Sequence, residues 1–406
     1  MSSGGEAWPH ANAMHTAMGP RITTWKDETS PFDPNVLVKT ISKTPPKHPK
    51  HPQNMPIEDF TQKNSPPYAL SDLPPLIIGG AVFNTQYSED PHSLPITEIL
   101  KVAFEKGLVA LDTSPYYGQS EELIGNALAK ISNEWPREKY FICTKAGRIA
   151  ADDFDYSRQS VRKSVYRSLD RLKTNYLDLV YMHDIEFVSE DETYEALKEL
   201  VALKKEGVVK NIGVTGYPVE YLLKVAKASK DKYASEIGPL DAILSYAHGC
   251  LQNTKLFELQ HRFLQEAGVK KVLNGSIVSM SLLRSGKTHA FHPAPQELKD
   301  ACDEVAQKLL KEDHVELAEL ATKFAIEKTL FGPETDKDNH LVWDKHYSVV
   351  LGVSSVDELT SAIEGYVHVQ ANDNAKERGL YERVQAELGS HLNETWPSGI
   401  EHSLKG

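Results

Sequence analysis

The sequence predicts an α/β protein whose main part is a (β/α)8 TIM barrel, and three observations favour this fold class. First, eight short apolar segments alternate with helical patterns over roughly 300 of the 406 residues. Second, each connection between consecutive strands is long enough to carry a helix, which is typical of parallel strands. Third, no G-x-G-x-x-G string follows the first strand. An open doubly wound sheet stays an alternative, but it normally carries that string, and the count of eight units favours a closed barrel.

Each strand is predicted from a short apolar run, and each helix from apolar residues that recur every three to four positions. The predicted strands cover residues 75–80, 108–112, 140–145, 177–182, 210–214, 241–245, 275–280 and 347–352. The predicted helices cover residues 97–106, 120–131, 160–174, 191–206, 218–229, 253–266, 295–310, 314–328 and 356–366. Gly107 and Gly207 stop two of these helices, and a capping box at Ser189 starts another. A polar insertion at residues 332–345 precedes the last unit.

The barrel, at residues 74–368, is predicted to lie between two polar extensions. Residues 1–73 are rich in proline and poor in periodic apolar positions, so they are predicted to be mostly disordered. His48 and His51 within them are interpreted as part of a solvated tail rather than as metal ligands. Residues 369–406 are predicted to form a polar tail with one helix at Ala375–Leu388 and a loose end.

The net charge, the cysteine count and the lengths of the apolar runs limit the kinds of molecule that this chain is expected to bind. The 45 basic and 57 acidic residues give a net charge of −12, which argues against nucleic acid or an anionic membrane as the main partner. The three cysteines, Cys143, Cys250 and Cys302, are too few and too scattered for a disulfide framework or a zinc site. No apolar run approaches the roughly 20 residues that span a bilayer. We therefore expect a cytoplasmic protein with reduced thiols, no metal and no membrane partner.

Four polar side chains stand at or just after the ends of three successive predicted strands. Asp112 ends one strand, Tyr117 lies in the turn that follows it, Lys145 ends the next strand and His183 the one after. Because a parallel barrel gathers the carboxyl ends of its strands at one mouth, these side chains are expected to meet there. Each residue alone also has a structural interpretation, as a turn cap, a solvated strand end or a core histidine. Together they favour one site.

The four residue types suit proton exchange with an alcohol or a carbonyl. A free tyrosine has a pKa of about 10, and a nearby ammonium stabilises its phenolate. Lowering the pKa by about three units requires roughly 4 kcal/mol, which one close charge in a dry pocket supplies. A carboxylate keeps the buried ammonium charged, and a histidine donor orients the reacting oxygen. Proton exchange of this kind pairs naturally with hydride transfer.

Several strings are similar to those of the aldo-keto reductase family. They are Asp-Thr-Ser-Pro-Tyr-Tyr-Gly at 112–118, Thr144-Lys145, the segment 178–184 and the helix stretch 164–174. The resemblance covers roughly residues 75–368 and implies a barrel that binds a nicotinamide cofactor in extended form. It implies Tyr117 as the acid/base, Lys145 and Asp112 as the pair that tunes it, and His183 as the donor that orients the substrate.

The resemblance also implies where the cofactor binds, although this end of the site is less regular. Thr215-Gly216 replaces the usual Ser-Asn, and Ile243 replaces a usual glutamine. The expected cofactor contacts are Thr215, Gly216, Tyr246, Ser279, Ser281, Leu283, Ser285, Ser354, Ser355 and Glu358. Glu358 stands where relatives that prefer NADP carry an arginine, which favours NAD over NADP. Ser355 and Glu358 also form a capping box, and both roles are compatible.

The region between the sixth and seventh strands is similar to the aldose dehydrogenase branch of the family. That resemblance implies oxidation of the anomeric hydroxyl of an aldose such as D-arabinose, L-galactose or L-fucose to a lactone. Its expected substrate contacts are Tyr116, His183, Phe83 and His248. We expect a small-molecule sugar as the partner and a monomer or homodimer. Two alternatives stay open, an NADPH-dependent reductase of general aldehydes and ketones and a redox-sensing regulatory subunit.

Overall fold

The computed structural model describes residues 69–402 and 404. Eight parallel strands close into a barrel, which confirms the predicted fold class, and each strand lies beside its neighbours in chain order. The barrel strands are β1 Leu76–Gly79, β2 Ala110–Asp112, β3 Phe141–Ala146, β4 Leu177–His183, β5 Val209–Gly216, β6 Ala242–Tyr246, β7 Lys271–Gly275 and β10 Tyr347–Gly352. Two further strands, β8 Phe331–Thr335 and β9 Leu341–Trp343, form a separate antiparallel pair.

The helices cover the outside of the barrel. They are α1 Ile96–Glu105, α2 Ser120–Ile131, α3 Arg158–Leu172, α4 Glu190–Lys205, α5 Val219–Asp231, α6 Lys255–Gln265, α7 Gln296–Asp313, α8 Leu317–Leu330, α9 Val356–Gln370 and α10 Ala375–Leu388. Buried apolar residues of α1 to α6, α8 and α9 pack against the outward-facing strand residues in the largest core cluster, whereas α7 and α10 pack with part of α8 in a separate cluster. Among the described helices, none combines the length and the apolar character that crossing a bilayer requires.

A second apolar cluster fills the inside of the barrel. Its strand residues follow the two-residue period of inward-facing positions: Ile77, Ala110, Phe141, Cys143, Leu179, Tyr181, Ala242, Leu244, Leu273 and Val350. Leu70 and Leu73 join this cluster just before β1. Leu70 and Leu73, which lie in the predicted N-terminal extension, therefore contribute to the core inside the barrel. The rest of that prediction, with His48 and His51, lies outside the described residues.

The predicted seventh strand is displaced. The sequence predicts residues 275–280, but β7 is Lys271–Gly275. Ser276, Ser279 and Met280 all have positive φ, which a strand cannot accommodate. The true strand is hard to predict because it begins with Lys271, a residue type that is typical of the surface. In the structure, the Lys271 side chain is buried and its Nζ donates to two backbone carbonyl oxygens. The predicted polar insertion at 332–345 likewise contains strand structure, since β8 and β9 pair and bury Leu341 and Trp343.

The predicted loose end of the chain is instead packed against the barrel. After α10, the chain returns to the barrel mouth, where the side chain of Asn393 accepts a hydrogen bond from the Thr254 N–H. The Trp396 ring stacks on the Tyr217 ring with a centroid distance of 4.7 Å, and only 5% of Trp396 is exposed. The prediction was wrong because a single tryptophan in a polar segment gives no periodic pattern.

Candidate active site

The period of the strands explains why the predicted residues meet. Inside a barrel, every second residue of a strand faces inward. Asp112 follows Ala110 by two positions, Lys145 follows Cys143, and His183 follows Tyr181, so all three lie one layer above the apolar inner cluster. The structure brings these three together with Tyr117 at the carboxyl end of the barrel. Asp112, Tyr117 and His183 line a cavity of about 940 Å³.

Lys145 and Asp112 form a buried ion pair in the wall of this cavity. The Lys145 Nζ lies 2.5 Å from Asp112 Oδ1 and also donates to the Thr113 carbonyl oxygen at 2.9 Å. Burial by itself lowers the pKa of Lys145, but the carboxylate of Asp112 and the phenol of Tyr117 outweigh burial and raise it. Burial raises the pKa of Asp112, and Lys145 opposes that shift. The ammonium is therefore held in the charged form beside Tyr117.

Tyr117 lies close to this ammonium, with its ring centroid 4.8 Å from the Lys145 Nζ. Burial raises the pKa of Tyr117 above its ordinary value, and the opposing effect of Lys145 is smaller. Lys145 therefore lowers the pKa of Tyr117, as the sequence predicts, but burial outweighs this effect and the net shift is upward. The effect of burial on the pKa is larger than that of Lys145 because the phenol is enclosed by the barrel mouth. The negative charges of Asp112 and Asp184 also raise the pKa. At neutral pH the Tyr117 phenol is protonated.

Hydrogen bonds hold His183 in place at both its backbone and its ring. Its Nδ1 lies 3.0 Å from the Ser114 hydroxyl, and its carbonyl oxygen accepts a hydrogen bond from the Tyr156 hydroxyl at 2.6 Å. Burial lowers the pKa of His183 well below its ordinary range, helped by Lys145 and Arg148. The ring is neutral at physiological pH, and it stands edge-on to Tyr117 with a centroid distance of 5.7 Å.

The predicted cofactor contacts divide into two groups. The residues that line the cavity are Thr215, Tyr246, Ser281, Ser354 and Glu358. The others have structural positions: Gly216 lies against the Glu186 carboxylate, Ser279 and Leu283 are fully buried, Ser285 donates its N–H to Glu316, and Ser355 caps α9. In the loop after β7, Ser276, Ser279, Met280 and Ser281 have positive φ, and of the predicted contacts in this loop only Ser281 lines the cavity.

Two predicted substrate contacts are displaced by packing. Tyr116 and His183 line the cavity, as expected. Phe83 is fully buried in the core cluster between strands and helices and is not among the residues that line the cavity. His248 is also buried, with its ring 4.1 Å from the Tyr217 ring and its Nδ1 3.3 Å from the Tyr246 carbonyl oxygen. His248 therefore supports the wall of the cavity from behind.

Sequence reasoning missed several residues of the cavity. They are Tyr87, Arg148, Asp184, Phe187, Trp396 and Ser398. Arg148 lies two residues after the end of β3 and Asp184 directly follows β4, so the rule that located Lys145 and His183 also points to them. No comparable signal exists for Trp396 and Ser398, because their approach to the mouth depends on how the C-terminal segment packs.

The cavity has room and a candidate phosphate contact for a nicotinamide cofactor. Its volume lies at the upper end of the range for ligand pockets, about 300–1,000 Å³, so it has room for a large ligand. It also reaches the loop after β7, where the Nε of Arg284 is buried and makes no hydrogen bond within the described residues. A guanidinium whose buried N–H has no partner is well suited to donate a hydrogen bond to a phosphate oxygen. In the part of the chain that the structure describes, no cluster of histidine, cysteine and acidic residues is arranged to hold a metal ion.

Comparisons with known proteins find one matching family and several similar chains. A family model described as the Aldo/keto reductase family matches residues 75–377. The D-arabinose 1-dehydrogenase of Saccharomyces cerevisiae is 47% identical over 340 residues, which is 83% of this chain and 97% of that protein. The L-galactose dehydrogenase of Arabidopsis thaliana is 32% identical over 334 residues, 80% of this chain and 92% of that protein. A D-threo-aldose 1-dehydrogenase of Pseudomonas sp is 25% identical over 262 residues, 57% of this chain and 75% of that protein.

Proposed function

This chain belongs to the aldo/keto reductase family, and from that premise we propose that it oxidises the anomeric hydroxyl of an aldose with NAD to give the aldonolactone. The sugar is of the D-arabinose type, with L-galactose and L-fucose as further candidates. The observation that carries the proposal is one cavity that combines Tyr117 and His183 with the buried pair of Lys145 and Asp112. The names of the two relatives that match most of this chain support the sugar class.

In this proposal, the side chains of the cavity handle the proton. When bound, a nicotinamide cofactor supplies the acceptor for the hydride that leaves the anomeric carbon. As the C–H bond breaks, the hydroxyl on that carbon becomes a carbonyl and releases its proton to Tyr117 in its phenolate form, which is the minor form at neutral pH because burial raises the pKa of Tyr117. Lys145, held by Asp112, stabilises that phenolate. The lowered pKa of His183 keeps its ring neutral, so the ring carries a single N–H. With Nδ1 held by the Ser114 hydroxyl, Nε2 donates that hydrogen bond to the same oxygen.

We further propose NAD as the preferred form of the nicotinamide cofactor. Glu358 lines the cavity at the start of α9, where its Oε2 accepts hydrogen bonds from the N–H and the hydroxyl of Ser354 at 2.7 and 2.9 Å. A carboxylate held at this place repels the 2′-phosphate of NADP and suits the ribose hydroxyls of NAD. The helix itself is capped by Ser355, whose hydroxyl oxygen accepts a hydrogen bond from the Glu358 N–H at 3.1 Å.

Steady-state kinetics of the purified full chain test the function. NAD and NADP are each supplied with D-arabinose, L-galactose and L-fucose, and the lactone is identified by mass spectrometry. We expect lactone formation from at least one sugar, with kcat/KM at least tenfold higher for NAD than for NADP. Turnover of aromatic aldehydes by NADPH without sugar oxidation would instead assign a general reductase. Nucleotide binding without any turnover would assign a regulatory subunit.

A further inference from the structure

We propose that Arg148 recognises the substrate by donating hydrogen bonds to sugar oxygens other than the one at the reacting carbon. This inference rests on the proposed function and names the chemical class that the cavity selects, a neutral polyhydroxylated molecule. The supporting observations are the unused donors of Arg148, the groups that fix its guanidinium, and the charge balance around it.

The backbone directs Arg148 into the cavity. Gly147 has a φ of +101°, and a Cβ at that position would lie 2.4 Å from the Tyr156 ring, so the chain turns sharply just after β3. The turn is closed by hydrogen bonds from Asp155 N–H to the Gly147 carbonyl oxygen and from Ile149 N–H to the Asp153 carbonyl oxygen, each 2.8 Å. The result is a short, internally bonded loop with Arg148 in the cavity wall.

Contacts on several sides fix the guanidinium. Its carbon lies 4.0 Å from the Tyr116 ring centroid, which is within the range of a cation–π contact. The rings of Phe154 and Phe187 stack on each other and lie 5.2 and 5.4 Å from the same carbon. Asp184 pairs with Nη1. A side chain fixed in this way loses little further conformational freedom when it binds a ligand.

Two donors of this guanidinium are left for a ligand. Within the described residues, Arg148 uses Nε for the Ala150 carbonyl oxygen, one N–H of Nη2 for the Ala151 carbonyl oxygen, and one N–H of Nη1 for Asp184. An arginine has five N–H donors, so one on each terminal nitrogen is unused. Unpaired donors in a largely buried cation are costly, and oxygen atoms of a substrate would satisfy them.

The position of Arg148 fits recognition beside the reacting carbon. Asp184 Oδ2, which pairs with Arg148, lies 3.6 Å from His183 Nε2. The Tyr116 ring, which packs on the guanidinium, lies 5.8 Å from the His183 ring. A sugar whose reacting oxygen contacts His183 would therefore bring its neighbouring hydroxyls towards Arg148.

The charge balance favours a neutral ligand. The cation of Arg148 is paired with Asp184, and the cation of Lys145 is paired with Asp112. Two compensated pairs leave no excess positive charge in this part of the cavity for a carboxylate or phosphate of the substrate. Hydroxyl and ring oxygens, in contrast, accept hydrogen bonds from Arg148 without adding charge.

The test compares two substrates that react in the same way. D-Arabinose carries ring hydroxyls, whereas 2-hydroxytetrahydropyran has the reacting carbon and ring oxygen without them. We expect Arg148→Met to lower the ratio of kcat/KM for the sugar to kcat/KM for the plain hemiacetal about 10- to 100-fold, since charge-assisted hydrogen bonds are lost. The ratio cancels any change in the chemistry that both substrates share. Arg158→Met is the matched control, because Arg158 also pairs with a carboxylate but lies on the exposed face of α3.

Asp184→Asn and Arg148→Lys keep the test decisive if Arg148→Met does not fold, which thermal unfolding shows. Both should lower the same ratio several-fold. Asp184→Asn releases the guanidinium, and Arg148→Lys removes its two terminal nitrogens. An equal loss on both substrates would overturn the inference and leave the proposed function intact. Faster turnover of D-arabinose 5-phosphate than of D-arabinose by the wild type would also overturn it. Turnover of the plain hemiacetal without any sugar would refute the proposed function and the inference together.

Discussion

Glu186 offers a quantitative test of how the C-terminal segment is attached to the barrel. Its Oε1 accepts hydrogen bonds from the Tyr217 N–H at 2.9 Å and the Ser398 hydroxyl at 3.0 Å, and its carbonyl oxygen accepts one from the Ile400 N–H at 2.9 Å. Burial, reinforced by the charge of Asp184, raises the pKa of Glu186 to about 8. The native protein therefore holds a proton on this carboxyl group at neutral pH.

The raised pKa makes stability depend on pH in a defined direction. In the unfolded chain a glutamate has a pKa of about 4.3, so it loses its proton well below the pH at which native Glu186 does. The resulting stabilisation is fully present below that value and is lost as the pH rises towards 8. Between these values, the free energy of unfolding should fall by about 1.4 kcal/mol per pH unit from this group alone. From pH 5 to pH 7, the fall amounts to about 3 kcal/mol.

The substitution Glu186→Gln removes the titration while it keeps an oxygen acceptor for Tyr217 and Ser398. Urea unfolding followed by circular dichroism at pH 5, 6, 7 and 8 gives the free energy of unfolding for both proteins. We expect the variant to gain stability relative to the wild type as the pH rises over this range. Glu134→Gln, at an exposed turn, should follow the wild type. If the free energy of unfolding of Glu186→Gln and of the wild type changed equally with pH, the claim that packing of this segment raises the pKa of Glu186 would be refuted.

Three further predictions concern the site. Lys145→Met leaves buried Asp112 without its partner, so it should lower the free energy of unfolding by about 3–5 kcal/mol, and a loss below 1 kcal/mol would contradict a buried ion pair. Because burial raises the pKa of Tyr117, kcat/KM for oxidation should rise about tenfold per unit between pH 7 and 9, whereas a pH-independent rate would argue against a phenolate base. Trp396→Ala should raise KM for the sugar several-fold by opening the cavity, and an unchanged KM would place Trp396 outside substrate binding.

The order of the elements was predictable because it depends on local patterns. Apolar runs and helical spacing locate seven of the eight barrel strands near their true positions, and the strand-end rule locates Asp112, Lys145 and His183. β7 was misplaced because its buried Lys271 resembles a surface residue in the sequence. Its hydrogen bonds to the carbonyl oxygens of Leu73 and Lys345 come from distant segments, and a pattern along one segment does not reveal them.

The wall of the cavity was less predictable because it depends on contacts over long sequence separations. Trp396 and Tyr217 are far apart in the chain, yet their rings stack, and Trp396 lines the cavity. Phe83 and His248 have the residue types of a sugar pocket, but close packing turns both away from it. The sign of the Tyr117 pKa shift also depends on three-dimensional burial, since the sequence reveals the nearby ammonium but not the degree of enclosure.

The proton transfer to Tyr117 is the central step of the proposed reaction. Tyr117→Phe keeps the ring beside His183 and Lys145 and removes only the hydroxyl. Turnover of D-arabinose with NAD by this variant, together with the dissociation constant for NAD from fluorescence titration, is the decisive measurement. We expect kcat to fall about 10²- to 10⁴-fold, with NAD affinity changed by less than about threefold. A variant that keeps more than about a tenth of the wild-type kcat would contradict the role of Tyr117 as the proton acceptor.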